Sequence, residues 1–290
     1  MILASIYLNE NISACIEINN DLYPIPIINS EYSCTWSENL FDLINNNEIK
    51  ELENWIKKNK QILIESKSVK LNKSNISFAP LYRNPKKIWG IGLNYADHAR
   101  DLSEKTPEEI PASFIKPDTT IIGYGEEIKI PKLSTKTTGE AELGVIIGKE
   151  CKDVEKENWL DYVAGFTTII DMTAEDILRK NPRYLTLSKS FDTFFSFGPY
   201  FYTPEEIRNV ESLEVSTVIN NEVYAKNTVS NMTFPPDFLV SFHSKVMTLL
   251  PGDIISTGTP KATPLKHGDQ IECRISGFEP LKNKVIDLKI

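Results

Sequence analysis

The alternation of apolar and polar positions changes character near residue 78. Before it, "MILASIYL" and "ISACIEI" are short apolar runs separated by the turn-like "LNENIS", which predicts a β-hairpin. The "YPIPI" that follows puts two prolines where a strand would need donors, so the continuation is expected at an edge or in a loop. From 37 to 59, Leu40, Ile44, Ile49, Leu52 and Ile56 recur at helical spacing around an Asn-rich break at 45 to 47, which predicts two short helices with Ser37 as the first N-cap. The Lys/Ser/Asn-rich "SKSVKLNKSNIS" at 66 to 77 reads as a linker. A small α+β N-terminal domain over 1–77 is therefore expected, followed by a larger unit over 78–290. In that unit "KIWGIGL", "TTIIGY", "EIKIP", "AELGVIIGK", "AGFTTIID", "LEVSTVINNEVYAKN", "DIISTGT" and "QIECRISG" are strand-like runs, with a hairpin signal at "VINNEVYAK". Helical patterns are fewer, chiefly "TAEDILRK" and "PPDFLVSFHSKVMTL". The pattern predicts a mainly β chain with packed helices, of α+β class.

Composition narrows the partners. At 290 residues, 41% hydrophobic and 25% charged, the chain is ordinary globular material. Its net charge of -8 disfavours nucleic acid or an anionic membrane as partner, so a small-molecule ligand is expected. Cys15, Cys34, Cys151 and Cys273 form no CxxC pair and suggest neither a zinc knuckle nor a disulfide framework. The N-terminal run meets Asn9 and Glu10 after eight residues and lacks a cationic start, so neither a signal peptide nor a membrane span is read there, and a cytoplasmic location is expected.

Candidate chemistry begins in "TTGEAELGVIIGKE", residues 137 to 150, where two carboxylates separated by one Ala introduce an apolar run. On a strand, positions i and i+2 share a face, so Glu140 and Glu142 project together while Ala141, Leu143 and Val145 face the other way. Anions so close repel, which leaves two readings: both are solvated on an exposed edge, or a cation sits between them. Asp171 ends "AGFTTII" and precedes "MTAEDILRK", where Thr173 and Asp176 have capping-box spacing; it either joins the glutamates or helps to cap that helix. Three carboxylates without His or Cys are hard oxygen donors that favour Mg²⁺ or Mn²⁺, Ca²⁺ less so, and disfavour Zn²⁺. Lys189, among the aromatic residues of "SKSFDTFFSFGPY", is either a snorkelling lysine over Phe191 and Phe194 or a cation that neutralises substrate charge or positions a water. His98 and Asp101 in "GIGLNYADHARD" stand at i and i+3 and would share a helical face as a general-base pair. His243, in an amphipathic helix, and His267, beside Gly268, read as structural.

Taken in order, "GLNYADHA", "FIKPDTTIIG", "GEAELGVIIGK", "YVAGFTTIID", "SKSFDTFFSFGP" and "PGDIISTGTP" resemble the fumarylacetoacetate hydrolase family, in the branch of acylpyruvate hydrolases and related decarboxylases and isomerases. The resemblance runs from about Trp89 to the C-terminus. It implies a mixed β-sandwich or β-roll catalytic domain, commonly a homodimer, behind a small N-terminal domain. Carried onto this chain, it implies Glu140, Glu142 and Asp171 as metal ligands, His98, Asp101 and Lys189 as catalytic residues, and Thr259, Lys116 and Tyr95 as substrate-binding residues. The implied substrate is a 2-oxo acid, chelated by Mg²⁺ or Mn²⁺ so that an enolate is stabilised while His98 and Asp101 activate water against a 2,4-dioxo acid. Oxaloacetate-type decarboxylation and 2-hydroxydienoate isomerisation share that platform, and a non-catalytic metal-stabilised binding module is the rival from another class. A glycosidase is disfavoured, because carboxylates on one strand face cannot flank a bond from opposite sides. The chain departs from the family at Ile170, where a polar residue is usual, at Glu175, where a cation is usual, and at Asp101, one methylene shorter than the usual Glu. The charged, Pro-interrupted stretch at 101–113 suggests a lid.

Overall fold

The computed structural model describes residues 1–66, 68–73, 76–96 and 107–290. Strands β1 (Ile2–Leu8), β2 (Asn11–Ile18) and β3 (Asp21–Pro24) form a meander that turns at Asn9–Glu10 and Asn19–Asn20. All four turn residues have positive φ, the backbone that two-residue hairpin loops require and that Asn tolerates. Beyond Pro24 the chain departs from the expected edge or loop and enters helix α1 (Ile25–Tyr32). A proline in the first helical turn loses no hydrogen bond, so Pro26 starts this helix where it would have broken a strand. Helices α2 (Leu40–Asn45) and α3 (Ile49–Glu65) are the expected pair. Their first cap is Asn39, which accepts from Asp42 N at 2.9 Å, whereas Ser37 Oγ donates to Glu48. Strand β4 (Leu71–Asn72) then pairs with β3.

The remaining strands are β5 (Ile88–Gly92), β6 (Ala112–Lys116), β7 (Ile121–Ile122), β8 (Glu127–Ile130), β9 (Thr137–Ile147), β10 (Val163–Ala174), β11 (Phe195–Phe197), β12 (Tyr200–Tyr202), β13 (Glu214–Ile219), β14 (Glu222–Thr228), β15 (Ile254–Ser256), β16 (Thr263–Pro264), β17 (Gln270–Ile275) and β18 (Leu281–Asp287). The "VINNEVYAK" hairpin is β13–β14, turning at Asn220–Asn221 with φ of 51° and 68°. A large sheet runs β4-β3-β2-β1-β12-β10-β9-β15-β5-β6 with β7, β11 and β16 branching from it, and a smaller one runs β14-β13-β17-β18-β8. The class is α+β with strands dominant, as the pattern predicts.

The centre of the large sheet is β9 and β10, antiparallel and buried along their whole lengths. Leu143 and Val145 of β9 and Ile170 and Met172 of β10 pack with Val215, Ile271 and Cys273 of the smaller sheet. Ile146 and Ile169, on the opposite face, join Leu43, Leu52 and Ile56 of the N-terminal helices. Both faces being covered explains why "LGVII" is continuously apolar instead of alternating. Charged residues placed on such a strand need partners from the fold.

Candidate active site

Register places the site. Asp171 on β10 lies directly opposite Glu140 on β9, and Ile169 lies opposite Glu142, so Glu140, Glu142 and Asp171 share one face of the ribbon. Their carboxylate oxygens lie within 4.8 Å of one another and all three residues are buried. Because β9 is flanked by β10 and β15, the solvated-edge reading of the two glutamates does not hold. Nor does Asp171 cap a helix. Strand β10 extends to Ala174, the helix Glu175–Lys180 has no side-chain cap, and Thr173 Oγ1 donates to Glu140 Oε1 at 2.9 Å. The predicted capping box is overridden by this strand pairing; Asp176 instead accepts from Ser134 Oγ at 2.7 Å.

Each carboxylate is held by groups of known origin. Ser256 Oγ, at the end of β15, and Gly258 N donate to Glu142 Oε2 at 2.5 and 2.8 Å. Lys189 Nζ donates to Glu140 Oε2 at 2.9 Å and to Asp171 Oδ2 at 2.7 Å, and lies 4.7 Å from the centre of the Phe114 ring. It is buried, so the snorkelling alternative does not hold. Lys116 Nζ donates to the other oxygen of Asp171, Oδ1, at 2.5 Å, and to Met172 O. The side chains of Thr173 and Ser256 were missed in the sequence; Thr173 carries only a cap-like signal there, and Ser256 none.

The charges answer one another. Burial works against ionised Asp171, but Lys116 and Lys189 outweigh it and hold the carboxyl below its ordinary range. Burial likewise opposes the Lys189 charge, which Asp171, Glu140 and Glu142 more than offset, so its pKa is raised. Lys116 is pushed down to about 8, by burial first, despite Asp171. Glu142 is pushed up to about 8 by burial, then by the charges of Asp171 and Glu140. Three carboxylates against two ammonium groups leave one net negative charge when all are ionised. A divalent cation would reverse that sign and let Glu142 ionise, so the donor set, all hard oxygen and short of positive charge, fits Mg²⁺ or Mn²⁺.

A cavity of about 560 Å³ reaches this cluster at Glu140 and Lys189, with Glu142 and Asp171 behind its lining. Thr138, Glu140, Thr173 and Lys189 line it, as do the apolar Leu93, Phe114, Leu178 and Leu185. The other sequence-derived residues are distributed differently. His98 and Asp101 lie outside the described residues, as does 101–106 of the suggested lid. Lys116 does not line the cavity and stands against Asp171. Tyr95 is fully buried, its hydroxyl unpaired among the described residues, and burial together with the Glu142 charge keeps the phenol above its ordinary pKa. Thr259 is buried in the loop after β15, where its hydroxyl bonds the backbone of Lys261 and it does not line the cavity. His243 Nδ1 bonds Leu239 O at 2.8 Å and His267 Nδ1 accepts from Asp287 N, away from the cavity, as expected of structural histidines. Ile170 faces the small-sheet core, and Glu175 lines the cavity rim in ion pairs with Lys136 and Arg179.

Residues 87–286 match the family model described as the fumarylacetoacetate (FAA) hydrolase C-terminal domain. The chain belongs to the fumarylacetoacetate hydrolase family. It is 42% identical over 205 residues to an uncharacterised protein of Archaeoglobus fulgidus, covering 70% of this chain and 80% of that one. Over 225 residues it is 35% identical to a mitochondrial oxaloacetate tautomerase of Xenopus laevis, covering 74% and 70% of the two chains. Among solved structures, a 5-carboxymethyl-2-hydroxymuconate delta-isomerase from Mycobacterium smegmatis superposes with a TM-score of 0.77 at 26% identity, covering 99% of each chain. No helix among the described residues is long and apolar enough to cross a membrane.

Proposed function

We propose that the chain is a Mg²⁺- or Mn²⁺-dependent hydrolase that cleaves the C3–C4 bond of a 2,4-dioxo acid, of acylpyruvate or fumarylpyruvate type. The observation that carries this reading is the buried cluster of Glu140, Glu142 and Asp171 with Lys116 and Lys189, which meets a cavity with an otherwise mostly apolar wall through Glu140 and Lys189. A divalent ion held by the three carboxylates would supply stabilisation of the negative charge that develops on the substrate's 2-oxo oxygen. With that ion the cluster carries one net positive charge, which suits the carboxylate end of a 2-oxo acid and would repel a cation.

The chain's own groups divide the rest. Lys116 and Lys189 fix the two oxygens of Asp171, and Thr173 and Lys189 fix those of Glu140, so the carboxylates are aimed before substrate arrives. Lys189 is also at the cavity surface, where it would meet the anionic end of the substrate. His98, oriented by Asp101, is proposed as the base that takes a proton from water as the oxygen attacks C4; the C3–C4 bond pair passes to the pyruvyl fragment, which is protonated at C3. The products are pyruvate and a carboxylic acid, with one water consumed.

A second reading is favoured by the 35% identity to an oxaloacetate tautomerase. There a proton moves between C3 and the 2-oxygen of oxaloacetate, no bond between carbons breaks and no water is consumed. An assay panel with Mg²⁺ or Mn²⁺ separates the two. Acetylpyruvate and fumarylpyruvate should yield pyruvate, while enol-oxaloacetate would lose its ultraviolet absorbance without releasing pyruvate or CO₂. Turnover of enol-oxaloacetate alone establishes the second reading over the first, and silence on the whole panel refutes both.

A further inference from the structure

Two short stretches far apart in the chain, "GLNY" at 92–95 and "STGT" at 256–259, meet beside Glu142. Asn94 lies just after β5, fully buried, and its side-chain amide is engaged at both ends. Oδ1 accepts from Phe234 N at 2.8 Å, while Nδ2 donates to Phe234 O at 2.9 Å and to Thr257 O at 2.7 Å. Because Phe234 N can only donate, the amide has one orientation. The backbone before it is strained: Leu93, on the cavity wall, has φ of 55°, which a leucine rarely adopts. Such a conformation persists only where the surroundings fix it, and the bonds of Asn94 do so from the next residue.

Thr257 C=O and Gly258 N–H are the two ends of one planar, trans peptide unit, so they point in opposite directions. Asn94 Nδ2 holds the oxygen at one end; at the other the N–H donates to Glu142 Oε2 at 2.8 Å, the atom that Ser256 Oγ also reaches. Both donors fall on Oε2, so Oε1 stands clear of them. Thr257 N and Oγ1 bond Leu143 O, which fixes the preceding peptide and leaves this one to Asn94. Gly258 has φ of 96°, and a Cβ there would meet Asn94 Cβ at 2.8 Å and Ile91 O at 3.0 Å, so only glycine fits. The freedom that admits glycine would also let the peptide plane turn over. A flip would bring the Thr257 oxygen to Glu142 in place of the N–H, exchanging a donor for an acceptor beside a buried carboxylate. The Asn94 bond opposes that flip, and by polarising the peptide it strengthens the N–H as a donor.

We infer that Asn94 is a positioning residue for the metal site: through the single peptide between Thr257 and Gly258 it aims a hydrogen bond at Glu142 Oε2 and so orients that carboxylate toward the cation. The inference rests on the reading that the triad holds a divalent ion, and it is independent of which reaction follows.

Nuclear magnetic resonance and Mn²⁺ titration test this together. Labelling with carbonyl-¹³C threonine and ¹⁵N glycine selects the amides of Gly139 and Gly258, the two glycines that follow a threonine. Thr257→Ser removes the second from the filtered spectrum and thereby assigns it. In the wild type, Mg²⁺ should shift the Gly258 signal. In Asn94→Ala and Asn94→Asp, which lose the donor to Thr257 O, that amide proton should move upfield and exchange faster in the metal-free protein, and Mn²⁺ should bind roughly 10- to 100-fold more weakly. A merely structural asparagine would lower the urea midpoint yet leave the Gly258 signal or the Mn²⁺ affinity of the folded variants as in the wild type, and either result overturns the proposal. So does a wild-type Gly258 amide that ignores Mg²⁺, a measurement that needs no variant to fold. If the wild type binds neither Mg²⁺ nor Mn²⁺, the triad reading falls and this inference with it.

Discussion

Binding of Mg²⁺ should release a proton from Glu142. In the metal-free cluster its carboxyl is pushed up to about 8 by burial and by Asp171 and Glu140, so at pH 7 about nine-tenths of the molecules hold that proton. A cation entering among the three carboxylates must displace it. Apparent affinity should therefore weaken as pH falls, by roughly fiftyfold between pH 8 and pH 6, or about 2 kcal/mol. Calorimetry at pH 7 in two buffers of different ionisation heat should report close to one proton released per ion. Glu142→Gln should bind more weakly and lose most of the dependence between pH 6 and 8, above all the part below pH 7. A smaller rise centred near pH 8 should persist in both proteins, because Lys116, also near 8, gives up its charge there. A wild-type affinity flat from pH 6 to 8, or heats that ignore the buffer, would refute the electrostatic account of the site.

Four further outcomes are expected. With metal chelated, the urea midpoint should be lowest near pH 8: Glu142, raised in the fold, contributes stability that is present below about 4.5 and lost as pH rises through about 8, whereas Lys116, depressed in the fold, lets stability recover between about 8 and 10.5. Thr173→Val keeps the β-branched shape but removes the 2.9 Å donor on Glu140, and Mn²⁺ titration should show a loss in affinity of roughly 10- to 100-fold with an unchanged circular dichroism spectrum. Asp171→Ala should abolish the rise in melting temperature that Mg²⁺ produces in the wild type, a difference read by thermal denaturation with and without the ion. Gly90→Ala places a Cβ 2.3 Å from the Phe114 ring that lies over Lys189, and urea denaturation should report about 1–3 kcal/mol of lost stability.

What was legible in the sequence followed from local spacing. The i, i+2 glutamates, the asparagine turns and the two N-terminal helices each depend on neighbours a few residues away, and each is found in the fold. Readings failed where a distant partner decided the matter. Thr173 and Asp176 have the spacing of a cap, yet the pairing of β10 with β9, more than thirty residues earlier in the chain, extends the strand through Thr173 and spends its hydroxyl on Glu140. Lys116 carries no local signal of its partner: a lysine in the apolar run "SFIK" needs a buried counter-charge, and Asp171, 55 residues on, supplies it. The prolines of "YPIPI" point to an edge or a loop by themselves; only the helix that follows shows Pro26 to be a starter.

The same logic explains why the site sits at the most deeply packed part of the molecule. A strand slipped by one residue exchanges its faces, so a single-residue shift of β10 would turn Asp171 toward Ile271 and Cys273 and bring Ile170 to the triad. Register here is pinned on both faces by apolar packing and at one end by an irregularity between Val163 and Gly165, where a Cβ on Gly165 would meet Tyr202 O at 2.4 Å. Burial makes the three carboxylates costly, and burial also fixes the register that brings them together. The cost is offset by Thr173 of the ribbon itself and by Lys116, Lys189 and Ser256, supplied by elements packed on or beside it. Precise placement of the triad and the stability of the central sheet are therefore one property, and a substitution that loosens the packing of β9 on β10 acts on the chemistry without touching a carboxylate.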